Sequence, residues 1–97
     1  FVPPVNVVET DDSLWVMCAI PGVAVKDIEV RLDGPELLIA GQRPLPSCCQ
    51  DGDLKLWEIP LGRFERRIAV LEGRITLSLG KVTLEDGLLV IELKKNS

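Results

Sequence analysis

The side chains with most chemistry to offer are three cysteines, scattered carboxylates and a run of arginines. Cys48 and Cys49 are adjacent. Adjacent thiols can be redox-active or can catch a metal. Without any His or a second Cys pair, however, the ligand set of a closed zinc site is missing. The plain reading is two loop thiols open to oxidation. Cys18 lies in an apolar run and reads as a small core residue. An odd cysteine count argues against a disulfide framework and fits a reducing, cytoplasmic setting. The lack of His also removes the common hydrolytic triads, and no Gly-rich phosphate loop or Walker lysine is present. Asp11 and Asp12, like Asp51 and Asp53, fall in turn-like stretches where Asp serves the backbone, without the graded spacing of a calcium loop. Arg63, Arg66, Arg67 and Arg74 read as ion-pair partners rather than a phosphate site. These residues describe a binding module, with no cofactor, no metal and no catalytic group: not an enzyme.

A chain of 97 residues makes one domain, here 1–97, and can bury a modest core without staples. Apolar residues are 46% of it but aromatics only 4%, so aliphatic side chains must fill that core. A net charge of −4 repels a phosphate backbone, which argues against nucleic acid as a partner. No stretch approaches the roughly 20 apolar residues of a membrane span. No signal peptide is visible at the start, although a chain beginning with Phe1 is open to earlier trimming.

The elements that must position these groups are strands. Residues 82–93 predict a hairpin about Asp86 and Gly87, a dipeptide suited to a primed turn. Its first strand is half-polar and suits a surface position. Its second, with Leu89, Ile91 and Leu93 on one face, suits the centre of a sheet. Upstream, 5–9 predicts a short edge strand after two prolines, and 14–20 an internal strand apolar on both faces. Residues 27–32 alternate without error, and 36–43 form another strand. The stretch 44–53, PLPSCCQDGD, has no apolar period and predicts a loop, with 54–57 a short strand-like piece in the same excursion. In 63–70, Phe64, Ile68 and Val70 take the core side. Arg66 shares their parity, so its guanidinium needs a carboxylate nearby or across an interface. Residues 71–80 are ambiguous, with Ile75, Leu77 and Leu79 alternating. No segment carries a helical period. Strands about every ten residues, divided by Gly, Pro and Asp turns, predict an all-β, immunoglobulin-like antiparallel β-sandwich.

Several blocks resemble the alpha-crystallin domain of the small heat-shock proteins: 4–10 (PVNVVET), 20–23 (IPGV) with 26–30 (KDIEV), 38–43 (LIAGQR), 62–68 (GRFERRI) and 84–93 (LEDGLLVIEL). They stand in the family's order and cover nearly the whole chain. Leu71 and Glu72 replace a usual Pro, and Val82 a usual Ala. The family's variable N-terminal arm and the tail carrying an Ile-x-Ile/Val motif are not in the sequence, which is similar to a core domain alone.

The resemblance implies ATP-independent holdase activity on unfolding client proteins, with a homodimer as building block and larger homo-oligomers for a full-length chain. In the bacterial and plant branch a loop strand swaps onto the neighbour's first strand. That assigns 44–57 as a dimerisation loop and Val5, Val7, Leu54, Leu56, Trp57 and Arg66 to the dimer interface. Ile28, Val30 and Leu32, with Val82 and Leu84, are the expected peptide groove between the sheets. Two other readings compete: a CS-type co-chaperone domain docking on a larger chaperone, and a metal-binding or enzymatic sandwich supported only by Cys48 and Cys49.

Overall fold

The computed structural model describes residues 1–70 and 76–96. Its best-defined local signal is the C-terminal hairpin, β6 (Thr76–Glu85) and β7 (Leu88–Asn96). Asp86 and Gly87 both have positive φ, 52° and 83°, as a type I′ turn requires. Gly87 is further fixed by space, because a Cβ there would lie 2.9 Å from Pro21 Cα. The same turn receives the Ile20 N–H on the Gly87 carbonyl at 2.8 Å.

The remaining strands are β1 (Val5–Glu9), β2 (Ser13–Ala19), β3 (Ile28–Asp33), β4 (Glu36–Arg43) and β5 (Gly62–Ala69). Two antiparallel sheets form, ordered β1-β2-β7-β6 and β3-β4-β5. Strand β7, apolar on nearly both faces, takes an internal place, and half-polar β6 takes the edge. The 27–32 strand starts one residue later than expected. Asp27 closes a 3-10 turn, Val25–Asp27, instead. Of the ambiguous 71–80 stretch, strand begins at Thr76, and 71–75 lie outside the described residues.

Alternation puts Val16, Cys18, Leu37, Ile39, Phe64, Leu89, Ile91 and Leu93 between the sheets, each essentially fully buried. Burying each large aliphatic stabilises by about 1.5–3 kcal/mol. Arg67 on the outer face bridges Asp33 at 3.3 Å and Glu65 at 3.0 Å, the ion pairing expected of it; among the described residues Arg63 and Arg66 form no ion pair, and Arg74 lies outside them.

Between β4 and β5 the chain leaves the sandwich. Residues 44–60 are all exposed, with a 3-10 turn at Ser47–Cys49. The strand-like piece expected at 54–57 is not a strand. A strand needs a ladder, and among the described residues no backbone hydrogen bond joins 54–60 to another segment. The radius of gyration, 15.5 Å, exceeds the roughly 13 Å of a compact domain this long, as a projecting excursion requires. No helix among the described residues is long and apolar enough to cross a membrane.

Candidate functional site

The edge strands β3 and β6 face each other on one side of the sandwich and leave a groove of about 270 Å³. Strand β3 alternates cleanly. Ile28 and Val30 turn inward, while Glu29 and Arg31 pair in solvent at 3.1 Å. Val82 and Leu84 come from β6, and Leu89 forms the floor. Among the described residues Thr83 is the one polar side chain in the lining.

Val82 and Leu84 reach this face because of a β-bulge between Leu79 and Val82. Leu79 sits opposite Leu93, and Val82 opposite Ile91, so two residues of β6 face Glu92 alone. The extra residue reverses the inward parity from odd to even positions. Without it Lys81 would enter the sandwich. Gly80 allows the bend: a Cβ there would meet Glu92 Oε1 at 2.8 Å. The parity switch between Leu77/Leu79 and Val82/Leu84, with a glycine between, is the sequence signal that could have located it.

Of the five expected groove residues, Ile28, Val30, Val82 and Leu84 come together. Leu32 does not line the groove. It lies past Val30 near the turn, opposite Leu37 and packed on the core. Val25, in the 3-10 turn before β3, supplies an exposed apolar rim.

The opposite side carries the expected interface residues of β1 and β5. Val5 is half-buried against the core and Val7 exposed, although both project to the inner face of their sheet. The three-stranded sheet does not extend over β1, and a cavity of about 260 Å³ remains between Val7, Leu14 and Val70. Arg66 sits mid-strand in β5 opposite buried Ile39. Among the described residues it makes no hydrogen bond or ion pair. Burial pushes the Cys18 thiol up from its ordinary value, and the Arg66 charge partly offsets this.

Leu54, Leu56 and Trp57 lie on the excursion, not against β1 of their own chain. With Leu45 and Ile59 they frame an exposed apolar hollow of about 430 Å³. One residue that positions this arm was missed. Arg43 shares the inward parity of Leu37 and Ile39 and is buried. Its Nε donates to the Pro60 carbonyl at 3.0 Å and its Nη1 to the Pro21 carbonyl at 2.9 Å. The guanidinium also lies 4.5 Å from the Phe1 ring centroid. The signal was the one that flagged Arg66: a charge on a core-facing parity.

The family model for the Hsp20/alpha crystallin family matches residues 6–97. The chain belongs to this family. Spore protein SP21 of Stigmatella aurantiaca is 30% identical over 95 residues, a match that takes in 98% of this chain and 56% of the relative. Small heat shock protein C2 of Rickettsia felis is 29% identical over 94 residues, covering 97% and 60%. The chain thus spans a little over half the length of these curated relatives. Among solved structures, heat shock protein 16.0 from Schizosaccharomyces pombe aligns with a TM-score of 0.83 at 25% identity, over 98% of this chain and 87% of that one. A small heat-shock protein from Xylella fastidiosa aligns at 0.77 and 28%, over 100% and 88%. Family membership and the two-sheet sandwich therefore agree.

Proposed function

We propose that this chain is the core of an ATP-independent chaperone, a holdase that captures aliphatic segments of unfolding proteins. The observation that carries the reading is the open groove between β3 and β6, apolar in all but Thr83 and formed by two strand edges. A segment lying there could add to a free edge and seat alternate side chains in the groove. Two aliphatic anchors would gain about 3–6 kcal/mol gross, much of it offset by association and ordering costs. Single contacts are then weak, in the millimolar to tens of micromolar range. An Ile-x-Ile tail or a client segment would bind reversibly, and many such contacts would hold an assembly that still exchanges.

In the same reading the chain is a homodimer, and 44–57 is its dimerisation loop. Leu54, Leu56 and Trp57 are largely exposed, while Val5 and Val7 lie on an edge strand whose inner face is only partly covered. Seating the arm of one protomer on β1 of the other would satisfy both, and would put Arg66 near the join, where a partner carboxylate can meet it. The three free thiols suit a reducing compartment such as the cytoplasm.

Two measurements test this. Sedimentation at micromolar concentration should give a dimer that Arg66→Ala weakens. A monomer, or an unchanged dimer in that variant, removes the swapped arrangement. The full-length protein should suppress aggregation of a heat-denatured client without ATP, and no suppression removes the holdase reading.

A further inference from the structure

We propose that Cys48 and Cys49 form a two-thiolate chelate for a soft divalent ion of the zinc and cadmium type. Both thiols are exposed, at the 3-10 turn of the excursion, with their sulfurs 3.7 Å apart. That separation decides which chemistry suits the pair. Two thiolates each about 2.3 Å from a tetrahedral ion stand about 3.8 Å apart. A disulfide would need the sulfurs at about 2.05 Å, and neighbouring Cα atoms across a trans peptide, about 3.8 Å apart, fall below the usual disulfide span. The two thiols, in S–H···S contact with each other, thus stand at the spacing that two ligands of one ion take, and the pair is poorly placed to bond to itself.

The turn is held before any ion arrives. The Cys49 N–H donates to the Pro46 carbonyl at 2.9 Å, the Gly52 N–H to the Cys49 carbonyl at 3.2 Å, and Gln50 Nε2 to the Leu45 carbonyl at 3.3 Å. The backbone that carries both sulfurs is thus set by a bonded turn, which lowers the ordering cost of chelation. Asp51 and Asp53 follow in sequence and add negative potential. Among the described residues no group of three or more Cys, His, Asp or Glu converges, so the site is open, with water in its remaining positions. Thiolate softness selects a zinc-type ion over magnesium or calcium. On binding, two S–H bonds break, two metal–sulfur bonds form, and two protons leave to solvent. Nothing is oxidised or reduced. The site stands whether or not the excursion crosses to a partner.

The test is a cadmium titration of the reduced chain, following thiolate-to-metal charge-transfer absorbance in the ultraviolet. The band should saturate at one ion per chain, recede when zinc competes, and tighten as pH rises, because protons are released. Cys48→Ser and Cys49→Ser should each weaken binding at least tenfold, with an unchanged far-ultraviolet circular dichroism spectrum, since both positions are exposed. Binding by either variant within twofold of the parent, or a band that grows without saturating, overturns the proposal.

Discussion

Arg43, the last residue of β4, donates through Nε to the carbonyl of Pro60, 3.0 Å away at the far end of the excursion. One buried guanidinium thereby reinforces the base of a loop that the β4–β5 ladder closes at Arg43 and Gly62. Its second bond, to Pro21, ties the loop to the bend that carries the groove rim. Arg43→Met keeps the apolar stem but leaves two carbonyls without their donor. It should cost about 2–4 kcal/mol in urea unfolding, and Arg43→Lys should recover less than half, because an ammonium lacks the planar fork. A loss under about 0.5 kcal/mol would show that water replaces both bonds.

Gly41 is a second constraint on the same strand. A Cβ there would lie 2.5 Å from the Asp27 carbonyl oxygen and 2.6 Å from Phe64 Cζ. Gly41→Ala should destabilise by about 2–3 kcal/mol, because neither backbone nor packed ring can yield cheaply. Gly52→Ala, whose nearest neighbour would be 3.5 Å away, should be close to neutral. Thermal melts of the two variants side by side decide the point, and equal melts would refute the packing argument.

The groove is best probed at Val82, which is 42% exposed and so tolerates change better than the packed Leu84. Val82→Asp should weaken binding of an Ile-x-Ile peptide at least tenfold in a fluorescence titration while moving stability by less than about 1 kcal/mol. Undiminished binding would place the peptide site elsewhere.

Cys18 gives a pH dependence with a definite sign. Burial raises its folded-state pKa above the unfolded value, and Arg66 opposes this in part. The unfolded chain therefore loses the thiol proton first as pH rises. The stability contribution is whole below the unfolded thiol pKa, about 8.5, and fades as pH climbs towards the folded value. The slope from this one group is at most about 1.4 kcal/mol per pH unit. Unfolding free energies of the parent and Cys18→Ala between pH 8 and about 11 should diverge in slope accordingly. Parallel curves would mean that the thiol titrates alike in both states.

Periodicity alone made most of the strands legible. The even alternation of 28–33 and the apolar parity of 89, 91 and 93 dictate which faces are buried, since side chains of a strand point to opposite sides in turn. Asp86 and Gly87 fixed the hairpin, because the two consecutive positive φ angles that the turn demands are supplied locally by those residues. The ordered blocks of residues around them were enough to point to the family.

Tertiary structure alone decided what no local pattern encodes. Leu32 has the same alternation as Ile28 and Val30, yet lies outside the groove, because membership depends on how far β6 runs alongside β3. The inward turn of Val82 depends on a bulge opposite Glu92, a relation between two strands. Arg43 could be recognised as a clasp only once Pro60 and Pro21, distant in sequence, stood within hydrogen-bonding reach of it. Residues 54–57 have the side chains of a strand but no ladder, because a strand is completed by a neighbour, and their own sheets provide none. Sequence sets each residue's preference for a face or a turn. Which distant groups meet, and which edges stay open, follows from packing two sheets around one core.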